Sequence, residues 1–334
     1  MKDGCFIVWL PYCHRSDTLA EALGFDIRFI NPFPRSWKIV YPLRYLVAAV
    51  VTIHICLRYR ARAIAVMNMP VFLPLTVMAV RRLFGIKVLI DNHCSIYRFR
   101  KWSWAVGLND WLLRHADAVV VHNQTDEARH AGMVPNLFLI PAVVTSMQLH
   151  DNTAEAEAAS PGLVYISTYS YDDPVAAFMD AAATLPDVAF VMTGAAPESL
   201  RRSAPSNITF TGYLDRSDYV AMLDASRGLI TLTTEADAMQ MGVEEAVCFQ
   251  KPCLTSSSPV LRMVLQDAGV FCANDAASIA EGIRILLRDR DALSRRIGVR
   301  AGRLCREVEA KMERVGHCLG TRPPDWARSP LGSA

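Results

Sequence analysis

The chain contains no G-x-G-x-x-G after its candidate opening strands at Cys5 and Leu163, and no G-x-x-x-x-G-K-[ST] anywhere. Those absences remove the usual dinucleotide fingerprint and the P-loop. No C-x-x-C pair occurs either, and the nine cysteines are scattered and odd in number. That pattern argues for reduced thiols in a cytosol, against a disulfide scaffold or a zinc site. Residues 43–57 are almost continuously apolar, yet they fall short of the roughly 20 residues a spanning helix needs. Residues 63–80 are interrupted by Asn68, Pro70 and Pro74. The chain runs straight into a strand at Cys5 with no basic segment ahead of it, so no secretory signal is read. Low-complexity tracts are missing too.

Acid is what the N-terminal third lacks most. Residues 27–90 hold no Asp or Glu but carry ten Lys or Arg, among them Arg44, Arg58, Arg60 and Arg62. One-sided charge beside apolar segments points to an anionic membrane surface or an anionic substrate. The plain alternative is a core helix whose arginine ends reach out to water.

What is present is a long, evenly alternating α/β pattern. A chain of 334 residues suggests two domains, and 52% hydrophobic against 20% charged residues excludes disorder. Short apolar runs predict strands at 5–10, 27–30, 63–67, 87–91, 118–121 and 137–140. Between them, helices are predicted after a Ser16 or Asp17 cap, and over 42–59, 72–84, 104–114 and 125–131. A polar, alanine-rich segment closing in Pro-Gly, residues 151–162, reads as an interdomain linker. A second series then begins with strands at 163–167, 188–193, 208–211, 228–232, 252–255 and 269–271. Its helices include one capped by Asp173 with Pro174 at its first position, one from Met241–Gly242 to Phe249, and two basic ones over 276–288 and 291–313. Two doubly wound, Rossmann-like domains follow, 1–150 and 163–318, with a tail over 319–334.

The second series is organised around residues 231–258, TLTTEADAMQMGVEEAVCFQKPCLTSSS. A buried strand leads through a polar loop into a helix N-terminus, where free backbone N–H groups and the helix dipole favour an anion. The segment EAVCFQKPCLTS, starting at Glu245, resembles the EAMACGKPVVTS stretch of retaining glycosyltransferases of family four, the group 1 enzymes with the two-domain GT-B fold. Asp237 stands eight positions before Glu245, where that family has its first acid. The residues after it, Ala238-Met239-Gln240-Met241-Gly242, are similar to a subgroup reading T-M-Q-x-G.

The resemblance implies two Rossmann-like domains facing a cleft, with the acceptor on the first and the nucleotide sugar on the second. It puts Asp237 at the donor sugar, Glu245 on the ribose hydroxyls, and the backbone N–H groups of Met239, Gln240, Met241 and Gly242 on the diphosphate. A structural alternative for Glu245 is a first-turn helix acid and nothing more. Asp91-Asn92-His93 resembles the family's D-x-H, whose histidine reaches the donor sugar, so His93 joins Asp237 as a catalytic candidate. His14, Arg15 and Ser16 fall in the first strand-to-helix turn, on the acceptor side. Thr193, Gly194 and Tyr213 close strands at the same edge as the donor loop. One departure is plain. Where many members carry Gly-Arg and a nearby Lys for the diphosphate, this chain has Ser167, Thr168 and Tyr169, without a cation. Hydroxyl and N–H groups bind phosphate without the charge assistance of Arg.

The expected function is therefore transfer of a sugar from a nucleotide-diphosphate sugar to a sugar, lipid-linked or small-molecule acceptor, with retention, in polysaccharide, glycolipid or glycoconjugate synthesis. No metal is assigned, since Asp289-Arg290-Asp291 lies in a basic region between helices, and no cofactor is expected beyond the co-substrate. Nucleic acid is not an expected partner. The expected location is the cytoplasm, with peripheral contact to the inner face of a membrane. Two other classes stay open: a sugar-nucleotide epimerase or hydrolase on the same fold, and an inactive nucleotide-sugar-binding relative.

Overall fold

A computed structural model of the protein describes residues 3–33, 41–59, 63–145, 149 and 162–322. The chain divides into two compact units, Met1–Thr145 with Arg306–Ala334, and Ser146–Cys305.

The first unit runs β1 (Gly4–Val8), α1 (His14–Ala22), β2 (Asp26–Phe29), α2 (Tyr41–Tyr59), β3 (Ala63–Met67) and α3 (Phe72–Phe84). It continues β4 (Lys87–Asn92), α4 (Ser95–Arg98), a 3-10 turn over Arg100–Ala105, α5 (Val106–His115), β5 (Ala118–Val121), α6 (Gln124–His130) and β6 (Leu137–Leu139). All six strands are parallel, in the order β2-β1-β3-β4-β5-β6. Strands such as AIAVM and AVVV are buried along their whole length, because helices cover both faces of such a sheet. The order reverses between β1 and β3, so the loops leaving these two strands diverge and leave a crevice at their carboxyl ends.

Helix α1 begins at His14, two residues before the predicted cap. Its N-cap residue, Cys13, makes no side-chain cap, and Ser16 lies inside the helix, fully buried, with no partner for its hydroxyl. Apolar packing of Leu19, Ala20 and Ala22 holds this helix, and no cap residue is used.

The second unit runs β7 (Leu163–Tyr165), α7 (Val175–Ala183), β8 (Phe190–Thr193), α8 (Glu198–Ser203), β9 (Ile208–Gly212) and α9 (Arg216–Ala225). Then come β10 (Gly228–Thr231), α10 (Met241–Cys248), β11 (Cys253–Ser256), α11 (Pro259–Leu265), β12 (Gly269–Cys272), α12 (Ala276–Arg288) and α13 (Arg290–Leu319), whose residues from Arg306 on belong to the first unit. Its six parallel strands are ordered β12-β11-β10-β7-β8-β9, with the reversal between β10 and β7. Helices α8 and α11 were not anticipated from the sequence; Ser258 caps α11 by accepting from the Leu261 N–H, with Pro259 at its start. Helix α7 opens at Val175 with Pro174 as its N-cap. Asp173, the predicted cap, turns its carboxylate to the preceding loop instead.

The sequence reading kept residues through 318 in the C-terminal domain, whereas the chain from Arg306 onward groups with the first unit. Side-chain contacts account for it. Lys311 Nζ donates to the Leu139 carbonyl at 2.7 Å, and the Arg314 guanidinium lies 5.3 Å from the Phe138 ring centre. Of the predicted linker, only Gly162 is described, and residues 323–334 of the predicted tail lie outside the described residues. Among the described residues, no helix is long and apolar enough to cross a membrane.

Candidate functional site

In the second unit the candidate residues gather at the carboxyl edge of the sheet, on either side of the β10/β7 reversal. Burying all of β10 forces α10 close against it. A Cβ on Gly242 would meet Thr231 Cβ at 2.8 Å, so only glycine lets the helix start there. Gln240 is the N-cap residue and provides no side-chain cap; its carbonyl accepts from the Val243 N–H at 3.1 Å, and the Met241 and Gly242 N–H groups are left at the start of the helix. Asp237 and Met239 are half-buried in the turn leading in.

Glu245 is half-buried on α10, and its Oε2 accepts a hydrogen bond from the Tyr219 hydroxyl at 2.9 Å. Burial pushes the Glu245 carboxyl up to about 7; the Tyr219 hydrogen bond opposes that rise and neighbouring Glu244 adds to it. This carboxyl therefore titrates near neutrality and can present either an acceptor or an O–H donor to a ligand. Tyr219 stands on α9, 26 residues earlier, and no local pattern ties it to Glu245.

The loops after β7 and β10 are stitched together. Thr233 Oγ1 donates to Asp172 Oδ2 at 2.8 Å, the Thr234 N–H to the Asp172 carbonyl at 2.8 Å, and the Tyr171 hydroxyl to Glu235 at 3.0 Å. In the loop after β7, Asp173 Oδ2 collects donors from Ser167 Oγ at 2.8 Å, the Thr168 N–H at 3.0 Å and the Ser170 N–H at 3.3 Å. An internal carboxylate thus occupies groups that would otherwise face an anion. Thr193 Oγ1 accepts from the Ser167 N–H at 3.4 Å, and Gly194 lies so close that a Cβ would fall 2.5 Å from the Ser167 carbonyl oxygen. Tyr213, directly after β9, is exposed.

In the first unit, Asp91 and His93 leave the end of β4 two residues apart and so project to one side. Asp91 is completely buried, with Arg15 Nε 3.3 Å from Oδ1 and His93 Nε2 2.9 Å from Oδ2. Burial alone would raise this carboxyl, but the Arg15 guanidinium, with His93 and His122 beside it, holds it well below the usual carboxylate range. An ionised carboxylate only accepts, so His93 Nε2 is the donor to Asp91 Oδ2. Arg15 also donates to the carbonyls of Ile140 at 2.9 Å and Pro141 at 3.1 Å, so it serves as an anchor for Asp91. His14 starts α1, with the Tyr12 hydroxyl 3.3 Å from its Nδ1.

Behind the dyad lies a buried amide network that the sequence did not announce. Asn68 Nδ2 donates to Asn92 Oδ1 at 2.7 Å, Asn109 Nδ2 donates to the same oxygen at 3.1 Å, and Asn68 Oδ1 accepts from the His93 N–H at 2.9 Å. His122 packs edge-on to His93 with ring centres 5.4 Å apart, and burial keeps its pKa well below that of free histidine. Among the described residues, no group of three or more His, Cys, Asp or Glu is placed to hold a metal ion.

Two parallel six-stranded sheets, each doubly wound, with candidate residues at the strand carboxyl ends, define the fold class of the GT-B glycosyltransferases. Residues 160–289, most of the second unit, match the family model "Glycosyl transferases group 1". Over 98% of its length the chain superposes on all of sucrose-phosphate synthase from Thermosynechococcus elongatus, with TM-score 0.71 and 15% identity. Anabaena HepE in complex with UDP and glucose matches 95% of this chain and 99% of its own, with TM-score 0.68 and 14% identity. A glycosyltransferase from Rickettsia africae matches 95% of this chain and 98% of its own, with TM-score 0.67 and 12% identity. No curated protein matches the sequence.

Proposed function

We propose that the protein transfers a sugar from a nucleotide-diphosphate sugar, with the nucleotide held by the second unit and the acceptor by the first. The observation that carries this reading is the α10 N-terminus, uncapped and drawn onto β10 by Gly242, with the near-neutral carboxyl of Glu245 in the next turn. The N–H groups there stabilise charge as it builds on the leaving diphosphate, which lowers the barrier because that charge is largest in the transition state. Glu245 takes the ribose hydroxyls, and Asp237, in the loop leading into α10, lies near the transferred sugar. UDP is the natural first nucleotide to test, since HepE was solved with UDP-glucose. Hexosyl transfer with retention, without a metal, rests on the family likeness, as does a role in glycolipid or polysaccharide synthesis at the inner face of a membrane.

One observation favours the inactive relative as a second reading. The loop after β7 offers the phosphates Asp173 in place of cations, and its donors are already engaged. Calorimetric titration with UDP, and then with UDP-sugars, separates the cases. Binding followed by release of UDP in the presence of an acceptor supports transfer, binding with no turnover supports the inactive relative, and no binding by any nucleoside diphosphate overturns both.

A further inference from the structure

The first unit contains a cavity of about 620 Å³. It lies at the β1/β3 reversal: Trp9 and Leu10 follow β1, while Met69 and Pro70 follow β3. Such a crevice is where a doubly wound sheet takes a ligand, and the volume suits a molecule of drug size. His93, held by Asp91 and the amide network, forms part of its wall.

The wall chemistry narrows the ligand. Trp9, Tyr45 and Trp102 supply broad apolar surface, and Arg44 and Lys101 supply positive charge. Among the described residues, no Asp, Glu, Asn or Gln lines the cavity, although those side chains are the usual partners of a polyhydroxylated sugar. Arg44 is buried, with Nη2 anchored on the Phe33 carbonyl, so its charge is fixed in place. Lys101 sits exposed at the rim.

The aromatic wall does not stop at the cavity. Ring centres step from Trp9 to Tyr45 at 6.1 Å, from Tyr45 to Phe72 at 5.1 Å, and from Phe72 to Trp104 at 5.9 Å. Trp104 is 60% exposed. On α2, Arg44 and Tyr45 face the cavity, while Leu43, Leu46 and Val50, exposed and spaced three and four residues apart, form an apolar face on the outer side of the same helix. Amphipathic surfaces of this kind, apolar with tryptophan and flanking cations, lie in the headgroup region of a bilayer.

We infer that this cavity is the binding site for an anionic amphiphile, a phosphate-linked lipid whose headgroup meets Arg44 and Lys101 and whose chain leaves along Phe72 and Trp104. The inference rests on the transferase reading, for which it names the acceptor class: a lipid phosphate carrying the hydroxyl that receives the sugar beside His93. The apolar strip and the cations answer two parts of a single ligand. Inorganic phosphate satisfies only the cations, and a neutral detergent only the strip.

The test is calorimetric titration of the full chain with decyl phosphate, decyl maltoside and inorganic phosphate, all below micelle-forming concentrations. Decyl phosphate binds at one site; the other two bind at least tenfold more weakly, since each loses one class of contact. Lys101→Met weakens decyl phosphate about fivefold, the size expected for one rim charge. Trp102→Ala weakens it about tenfold through lost stacking and burial. Circular dichroism melts confirm that each variant is folded. The inference is overturned if decyl phosphate fails to bind, if decyl maltoside binds as well, or if folded Lys101→Met and Trp102→Ala both retain full affinity. Titration of the wild type with UDP keeps the two readings apart. UDP binding without decyl phosphate binding removes only the acceptor site, and decyl phosphate binding without UDP removes only the transferase reading.

Discussion

Glu245→Gln should make the protein more stable and a poorer binder of nucleotide at once. The amide has the same shape and still accepts from the Tyr219 hydroxyl, so the change removes the ionisable group and little else. Burial raises the carboxyl from 4.5 to about 7, a difference of about 2.5, and at about 1.36 kcal/mol for each step the ionised form costs the fold up to about 3 kcal/mol. The sign follows from proton binding. Between those two values the folded state holds the proton and the unfolded state does not, so stability falls as pH rises through the window. Below it Glu245 is neutral in both states and the variant should match wild type. Above about 7 the variant's full advantage should be present. Urea unfolding at pH 4, 6 and 8 measures this directly. Over the same series, UDP affinity should drop by an amount typical of a charged hydrogen bond, about 1.5–3 kcal/mol. A variant that is no more stable at pH 8 than at pH 4 relative to wild type would show that Glu245 is not strained by burial. Unchanged UDP affinity in folded Glu245→Gln would remove it from the nucleotide site.

Asp91→Asn strands Arg15 beside a neutral partner and should cost about 3 kcal/mol at pH 7 by urea unfolding, as breaking a buried pair does. Because the folded carboxyl is depressed, the wild-type advantage holds above the ordinary carboxylate range near 3.9 and shrinks as pH falls below it; a gap independent of pH refutes the assignment. Asp237→Ala and His93→Ala should each lower turnover far more than UDP affinity, and equal losses in both would place them on the nucleotide instead. Flotation with phosphatidylglycerol vesicles should carry the protein upward at low salt and release it at high salt, since each Lys or Arg near the leaflet contributes about 1 kcal/mol within a Debye length. Arg60→Ser with Arg62→Ser, at positions outside the described residues, should weaken flotation. Protein that never floats ends the docking model.

Alternation of short apolar runs with longer amphipathic ones was enough, by itself, to determine two successive doubly wound sheets. A strand buried on both faces is apolar along its length, and β3 and β5 are. Gly242, Glu245 and the Lys251-Pro252 stop were legible for the same local reason: strand, loop, helix start and helix end all fall within about thirty consecutive residues of sequence. Caps were harder, because a side chain such as Ser16 or Asp173 chooses between local backbone partners only when its surroundings are known. Tertiary structure alone decided the rest. It brought Tyr219 to Glu245, Arg15 to Asp91, and Asn68, Asn92 and Asn109 to one another, pairs separated by 17 to 76 positions in the chain. It also turned Leu43, Leu46 and Val50 outward while burying Ala48 and Thr52 of the same helix. Composition cannot signal such choices, because hydrogen bonds and packing between distant residues depend on where the chain has carried them, and neither leaves a period in the sequence.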